Sequence, residues 1–186
     1  NSEMLKRYFG EDKGSLYEGS YGTDLYGGLI GSFDQDNGVD VGFTDLQELV
    51  DALDTMNDPA TFLTDAGQVL DMAEYTDFAA TELFMGHWDG YASYQNNYYI
   101  YRMADGRWTF LPWGIDQTFS DYLDLWGGNG RIEQMCLASL PCRLALKTSF
   151  QKTLAKVNDL DLVNEVDQLK ALISPALEED PRKEVD

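Results

Sequence analysis

Apolar and polar positions along this chain follow two periods, and the switch between them divides it. Between Thr44 and Met56, Leu46, Leu49, Val50 and Leu53 recur three and four positions apart, which predicts an amphipathic helix over 44–56. Thr44 with Gln47 reads as a capping box at its start, and Asn57-Asp58-Pro59 ends it. Asp58 is placed to cap, and Pro59 to open, a further helical stretch through Phe62, Leu63, Val69 and Leu70. A break is expected over 71–76, then a helix from Phe78 to Met85 stopped by Gly86. From Asn97 the period becomes two. Asn97-Tyr98-Tyr99-Ile100-Tyr101-Arg102 is rich in strand-forming residues, Asp105-Gly106 supplies a turn, and Arg107-Trp108-Thr109-Phe110-Leu111 alternates beyond it, so a β-hairpin is predicted over 97–111. Helical spacing returns with Leu144, Phe150, Leu154 and Val157, then Leu162, Val163, Val166, Leu169 and Ile173, and these stripes are expected to face the core. Turn signals at Phe9-Gly10 and Gly19 to Gly22 predict that the chain opens with a short helix leading into strands. The charged tail from Glu178 to Asp186 is expected to fray.

A chain of 186 residues with 44% hydrophobic residues is long and apolar enough for one compact domain or a large part of one. It carries 33 acidic against 13 basic residues, a net charge of −20. Phosphate backbones require clustered Lys and Arg, so nucleic acid is excluded as the expected partner. The acidity fits a solvated extracellular surface, and also a site that recruits divalent cations. Asp34-Gln35-Asp36-Asn37-Gly38 looks like a calcium loop, but its glycine falls one position early and no Glu closes the loop, so a hairpin or loop tip is expected instead. No stretch reaches the roughly 20 apolar residues of a membrane span. The chain opens at Asn1 without an initiator Met and reads as a fragment or processed product. The two cysteines, Cys136 and Cys142, stand far in sequence from the single histidine, His87. Zinc would want four ligands, so a local disulfide or two buried thiols are the open alternatives. The turn-forming Ser139 and Pro141 between them favour the disulfide, which would place the protein outside the cytosol.

Candidate chemistry is concentrated between Gly86 and Phe119. Gly86-His87-Trp88-Asp89-Gly90-Tyr91 leaves a helix, Asn96-Asn97 opens the first hairpin strand, and Pro112-Trp113-Gly114-Ile115-Asp116-Gln117-Thr118-Phe119 leaves the second. This order is expected to bring Asp89, Asn96 or Asn97, and Asp116 to one sheet edge. Phosphoryl transfer needs such a set: hard oxygen donors to hold divalent ions against phosphates, and a carboxylate to orient the attacking group. His87 reads as structural for want of a partner, and Trp88, Trp108 and Trp113 read as packing.

The patterns Gly-His-Trp-Asp-x-Tyr, Asn-Asn-Tyr-Tyr-x-Tyr and Pro-Trp-x-x-Asp-x-x-Phe together resemble the CotH family of spore-coat and secreted kinase-like proteins. The resemblance implies an α+β, protein-kinase-like fold: mainly the helical C-lobe, with a catalytic-edge hairpin and part of the smaller lobe. Residues 1–43 would be the end of the N-lobe-like β region and 44–186 the C-lobe-like region. Carried over by position, it implies Asp89 as the catalytic carboxylate, Asp116 and Asn97 (or Asn96) as metal ligands, and Mg²⁺ or Mn²⁺ with ATP as cofactors. The implied activity is secreted or cell-surface phosphotransfer to Ser or Thr of an extracellular or coat protein. Many members carry Asp where this chain has Gly114, and the phosphate-contacting lysine is expected upstream of Asn1. These departures leave a second expectation: a non-catalytic surface, adhesion or matrix module that keeps the scaffold and binds a divalent cation, Ca²⁺ included.

Overall fold

The structure, a computed structural model, describes residues 2–182. Its sheet has four antiparallel strands: β1 (Leu16–Gly19), β2 (Phe33–Asn37), β3 (Tyr98–Arg102) and β4 (Trp108–Pro112), in the order β2-β1-β3-β4. The hairpin pairs Tyr98 with Pro112, Ile100 with Phe110 and Arg102 with Trp108, while Leu16 to Gly19 pair with Tyr101 to Tyr98. β3 reads as a continuous apolar run because both its faces are covered. Tyr98 and Ile100 enter the main core with Tyr17, Trp108 and Phe110; Tyr99 and Tyr101 join a smaller cluster with Leu16 and with Leu5 of helix α1 (Ser2–Phe9). Gly19 is required by this approach, since a Cβ there would lie 2.3 Å from the Tyr98 ring. The acidic segment from Asp34 is neither a calcium loop nor a hairpin tip: Asp34 to Asn37 lie in edge strand β2.

Helix α2 (Thr44–Asp54) forms as its stripe predicts, burying Leu46, Leu49, Val50 and Leu53. The expected capping box is absent: Phe43 is the N-cap and Thr44 the first helical residue, its Oγ1 donating to the Val41 carbonyl at 3.0 Å. After α3 (Phe62–Ala66), α4 spans Met72–Phe84, which corrects the expected break over 71–76. The helix begins early because Leu70 bridges to Trp108, which fixes the chain direction, and Asp71 then caps, accepting from the Glu74 N–H at 3.3 Å. Tyr75 and Phe78 of α4 both meet Phe110 of β4, and each fully buried side chain of this size contributes about 1.5–3 kcal/mol. Helix α5 (Tyr91–Tyr94) follows, then after the hairpin α6 (Arg131–Ala138), α7 (Leu140–Asp159) and α8 (Leu162–Glu179). Cys136 and Cys142 are fully buried and form a disulfide at the α6–α7 joint, where Ser139 caps α7 by accepting from the Cys142 N–H at 3.4 Å.

The stripes assigned to the core on the last two helices need correction. On α7, Leu144 and Leu154 are exposed while Leu146 is buried, and α8 buries none of its residues: Leu162, Val163, Val166, Leu169 and Ile173 all face outward. Amphipathic spacing shows that a helix has an apolar face, and says nothing about what covers it. Glu178 and Glu179, expected to fray, belong to α8, while 183–186 lie outside the described residues.

Candidate active site

Two loops converge at the base of the hairpin. The first, Gly86–Gly90, joins α4 to α5; the second, from Trp113, leaves β4. They are laced together, the Phe119 N–H donating to the Met85 carbonyl at 2.7 Å and the Ser120 N–H to the Gly86 carbonyl at 3.1 Å. Gly86 is needed there, because its φ is +64° and a Cβ would lie 2.4 Å from the Ser120 carbonyl oxygen.

The first loop carries Asp89, which is half-buried. Its Oδ1 accepts from Asn96 Nδ2 at 3.0 Å and its Oδ2 from Asn97 Nδ2 at 2.8 Å, and the same Nδ2 donates to the Asp89 carbonyl at 3.0 Å. Asn97 reaches back this way because it adopts a left-handed φ of +52°, a conformation asparagine tolerates better than most residues. Its carbonyl accepts from the Trp113 N–H at 2.9 Å. Gly114 fits the same crossing: its φ is +54°, and a Cβ would lie 2.8 Å from Asn97 Oδ1. A side chain at 114 would therefore press on the amide that grips Asp89.

Asp116 sits differently. It is exposed and accepts from its neighbour Gln117 Nε2 at 3.2 Å, and among the described residues no hydrogen bond joins it to Asp89, Asn96 or Asn97. The structure thus brings Asp89, Asn96 and Asn97 into one bonded group, with Asp116 two residues beyond Gly114. Trp113, read as packing, is 53% exposed and meets Tyr99 edge-on.

His87 has the partner that sequence alone could not name. It is buried, and its Nδ1 lies 3.6 Å from Oε1 of the equally buried Glu82, a separation for charge attraction rather than a formed hydrogen bond. Burial alone would push the imidazole down; the Glu82 carboxylate, helped by the Gly114 backbone and the Asp89 charge, more than reverses this and holds it above the ordinary histidine value. Burial pushes the Glu82 carboxyl up, opposed by His87 and the Ala92 and Tyr91 N–H groups. The sequence held one sign of Glu82, its place beside Ala79 and Leu83 on the buried side of α4. A second unread acid, Asp24, is buried and accepts from the Arg131 N–H at 2.7 Å and the Tyr91 hydroxyl at 3.0 Å, which ties α6 to α5.

Among the described residues no group of three or more His, Cys, Asp or Glu side chains is arranged to hold a metal ion, and no helix is long and apolar enough to cross a membrane. Asp89, Asn96, Asn97 and Asp116 do not line the clefts of about 480 Å³ beside Asp45 and about 450 Å³ beside Arg131. A third cleft, of about 400 Å³, lies beside the two loops and is lined by Glu82, Met85, His87, Pro112, Ile115 and Thr118.

A small antiparallel sheet, several helices and a carboxylate gripped by amides at a hairpin base are compatible with a kinase-like α+β protein. The sequence model of the family described as CotH kinase protein matches residues 1–186, and the chain belongs to that family. No curated protein and no solved structure matches it.

Proposed function

We propose that this domain transfers the γ-phosphoryl group of ATP to a Ser or Thr hydroxyl of an extracellular or coat protein. The observation that carries this reading is the fixed carboxylate of Asp89, held by Asn96 and Asn97 where the two loops cross. Asp89 accepts a hydrogen bond from the acceptor hydroxyl and turns its oxygen toward the phosphorus. The new P–O bond forms as the bond to the β-phosphate oxygen breaks, ADP leaves, and Asp89 accepts the proton. Asn97 Oδ1, whose amide nitrogen is already engaged, and the exposed carboxylate of Asp116 are hard oxygen donors suited to Mg²⁺ or Mn²⁺. Such an ion is ordinarily bound by one or two carboxylates, with phosphates and water completing its shell. When bound, it would offset the negative charge of the phosphates. The buried disulfide supports a location outside the cytosol.

The test is metal-dependent ATP consumption with a Ser-containing and Thr-containing protein acceptor. Asp89→Ala is expected to lower transfer about 10²- to 10⁴-fold, and Asp116→Ala to weaken metal dependence. Activity unchanged in both variants would overturn the assignment. One observation favours a second reading, a non-catalytic surface or matrix module that binds a divalent cation: Asp116 stands apart, exposed and unlinked to Asp89. A thermal shift with Ca²⁺ alone, and none with ATP and Mg²⁺, would select it.

A further inference from the structure

Glu82 lies one turn inside α4, away from the carboxylates and amides of the candidate site, yet it grips both ends of the loop that carries Asp89. At one end His87 Nδ1 lies 3.6 Å from Oε1. At the other, the Tyr91 N–H donates to Oε1 at 3.4 Å and the Ala92 N–H to Oε2 at 3.1 Å. Between them the loop closes so tightly that a Cβ on Gly90 would lie 2.6 Å from Oε1 and 2.8 Å from His87 Nδ1. The chain from His87 to Tyr91 is wrapped over one buried carboxylate, with Asp89 between the grips. Glu82 is 5% exposed and His87 2% exposed, so solvent competes little for these contacts. Among the described residues Nε2 of His87 has no hydrogen-bond partner, and the Gly114 backbone acts on the ring besides Glu82.

We propose that Glu82, acting through His87 and the Tyr91 and Ala92 backbone, is a positioning residue that sets Asp89 in reach of Asn96 and Asn97. The proposal rests on the reading of Asp89 as the group that orients the acceptor. Its geometry can nevertheless be tested without any turnover. A carboxylate offers acceptors to all of these donors at once, whereas a glutamine offers one oxygen and presents an N–H₂ to donors that need an acceptor. Glu82→Gln should therefore loosen the loop while filling the same volume.

The experiment is NMR on the full chain, following the side-chain amides of Asn96 and Asn97 and backbone hydrogen exchange. In Glu82→Gln, exchange at Tyr91 and Ala92 is expected to accelerate about tenfold, as for loss of one buried hydrogen bond. The Asn96 and Asn97 side-chain signals should shift toward free-amide positions, with exchange in β3 and β4 unchanged. Unshifted asparagine signals would overturn the proposal. So would a change appearing only together with equal loss of protection across the hairpin, because Glu82 would then be a general stabiliser. Should Glu82→Gln fail to fold, His87→Gln and His87→Leu decide: the glutamine, which can still donate to Glu82, is expected to preserve the asparagine signals and the leucine to lose them. Equal behaviour of the two would refute the role. Where transfer is measurable, Glu82→Gln should lower kcat with the KM for ATP unchanged. A chain with no transfer activity but an intact asparagine response would refute the kinase reading alone.

Discussion

The two loops that meet at the hairpin base are built in opposite ways. The Asp89 loop is closed over Glu82, bonded by Asn96 and Asn97, and backed by Tyr91, which packs at 4.6 Å from Phe110. The Asp116 loop exposes Trp113, Ile115 and Phe119, the last in a left-handed conformation with φ +63°. Its link to the first loop runs through backbone bonds at Phe119 and Ser120. On the proposed reading, the contrast matches two tasks of phosphoryl transfer. Orienting an acceptor demands a carboxylate fixed before the reaction. A metal-binding carboxylate can be drawn into place by the ion and the nucleotide that it meets.

The largest expected effect comes from the buried acids of the core, Glu82 beneath the fixed loop among them. Glu133, fully buried against Tyr75, is pushed up to about 7 from 4.5, chiefly by burial and further by the Glu82 charge, against the pull of the Tyr75 hydroxyl. The native state then keeps a proton that the unfolded chain releases, so stability present below pH 4.5 is lost as pH rises to about 7. Glu82 and Asp24, raised in the same direction, add to this trend. Thermal unfolding should show the melting temperature falling across that window, and Glu133→Gln should remove a share worth about 3 kcal/mol.

A smaller effect tests the crossing itself. Gly114→Ala forces a Cβ into left-handed backbone and against Asn97 Oδ1, at a cost of about 1–3 kcal/mol. Denaturant unfolding gives that value, and the Asn97 amide signal should move with it. The smallest effect sharpens the contrast: Asp116→Ala, at an exposed position, should change stability by no more than about 0.5 kcal/mol. A larger loss would show that the Asp116 loop is also held in place.

Much of this was legible from residue order. The hairpin declared itself through period-two aromatics around Asp105-Gly106, and α2 through its leucine stripe, because both patterns follow from local backbone geometry. The family also showed in three short motifs whose residues the whole-chain match now covers. Other features were hidden for one shared reason, that partners distant in sequence made them. The start of α4 depended on a bridge between Leu70 and Trp108, and the surroundings of His87 on a glutamate from the preceding helix. α8 carries the same apolar spacing as a buried helix, yet nothing among the described residues covers it.

By itself, then, the sequence determined the hairpin, α2, the family, and the residue types available for chemistry, since these depend on propensity, periodicity and motif. Tertiary structure alone decided that both asparagines bind Asp89, that Gly114 leaves room for the Asn97 amide, and that Asp116 stands apart. Each of these is set by how two loops cross over a hairpin, and a one-dimensional pattern does not encode distances between loops.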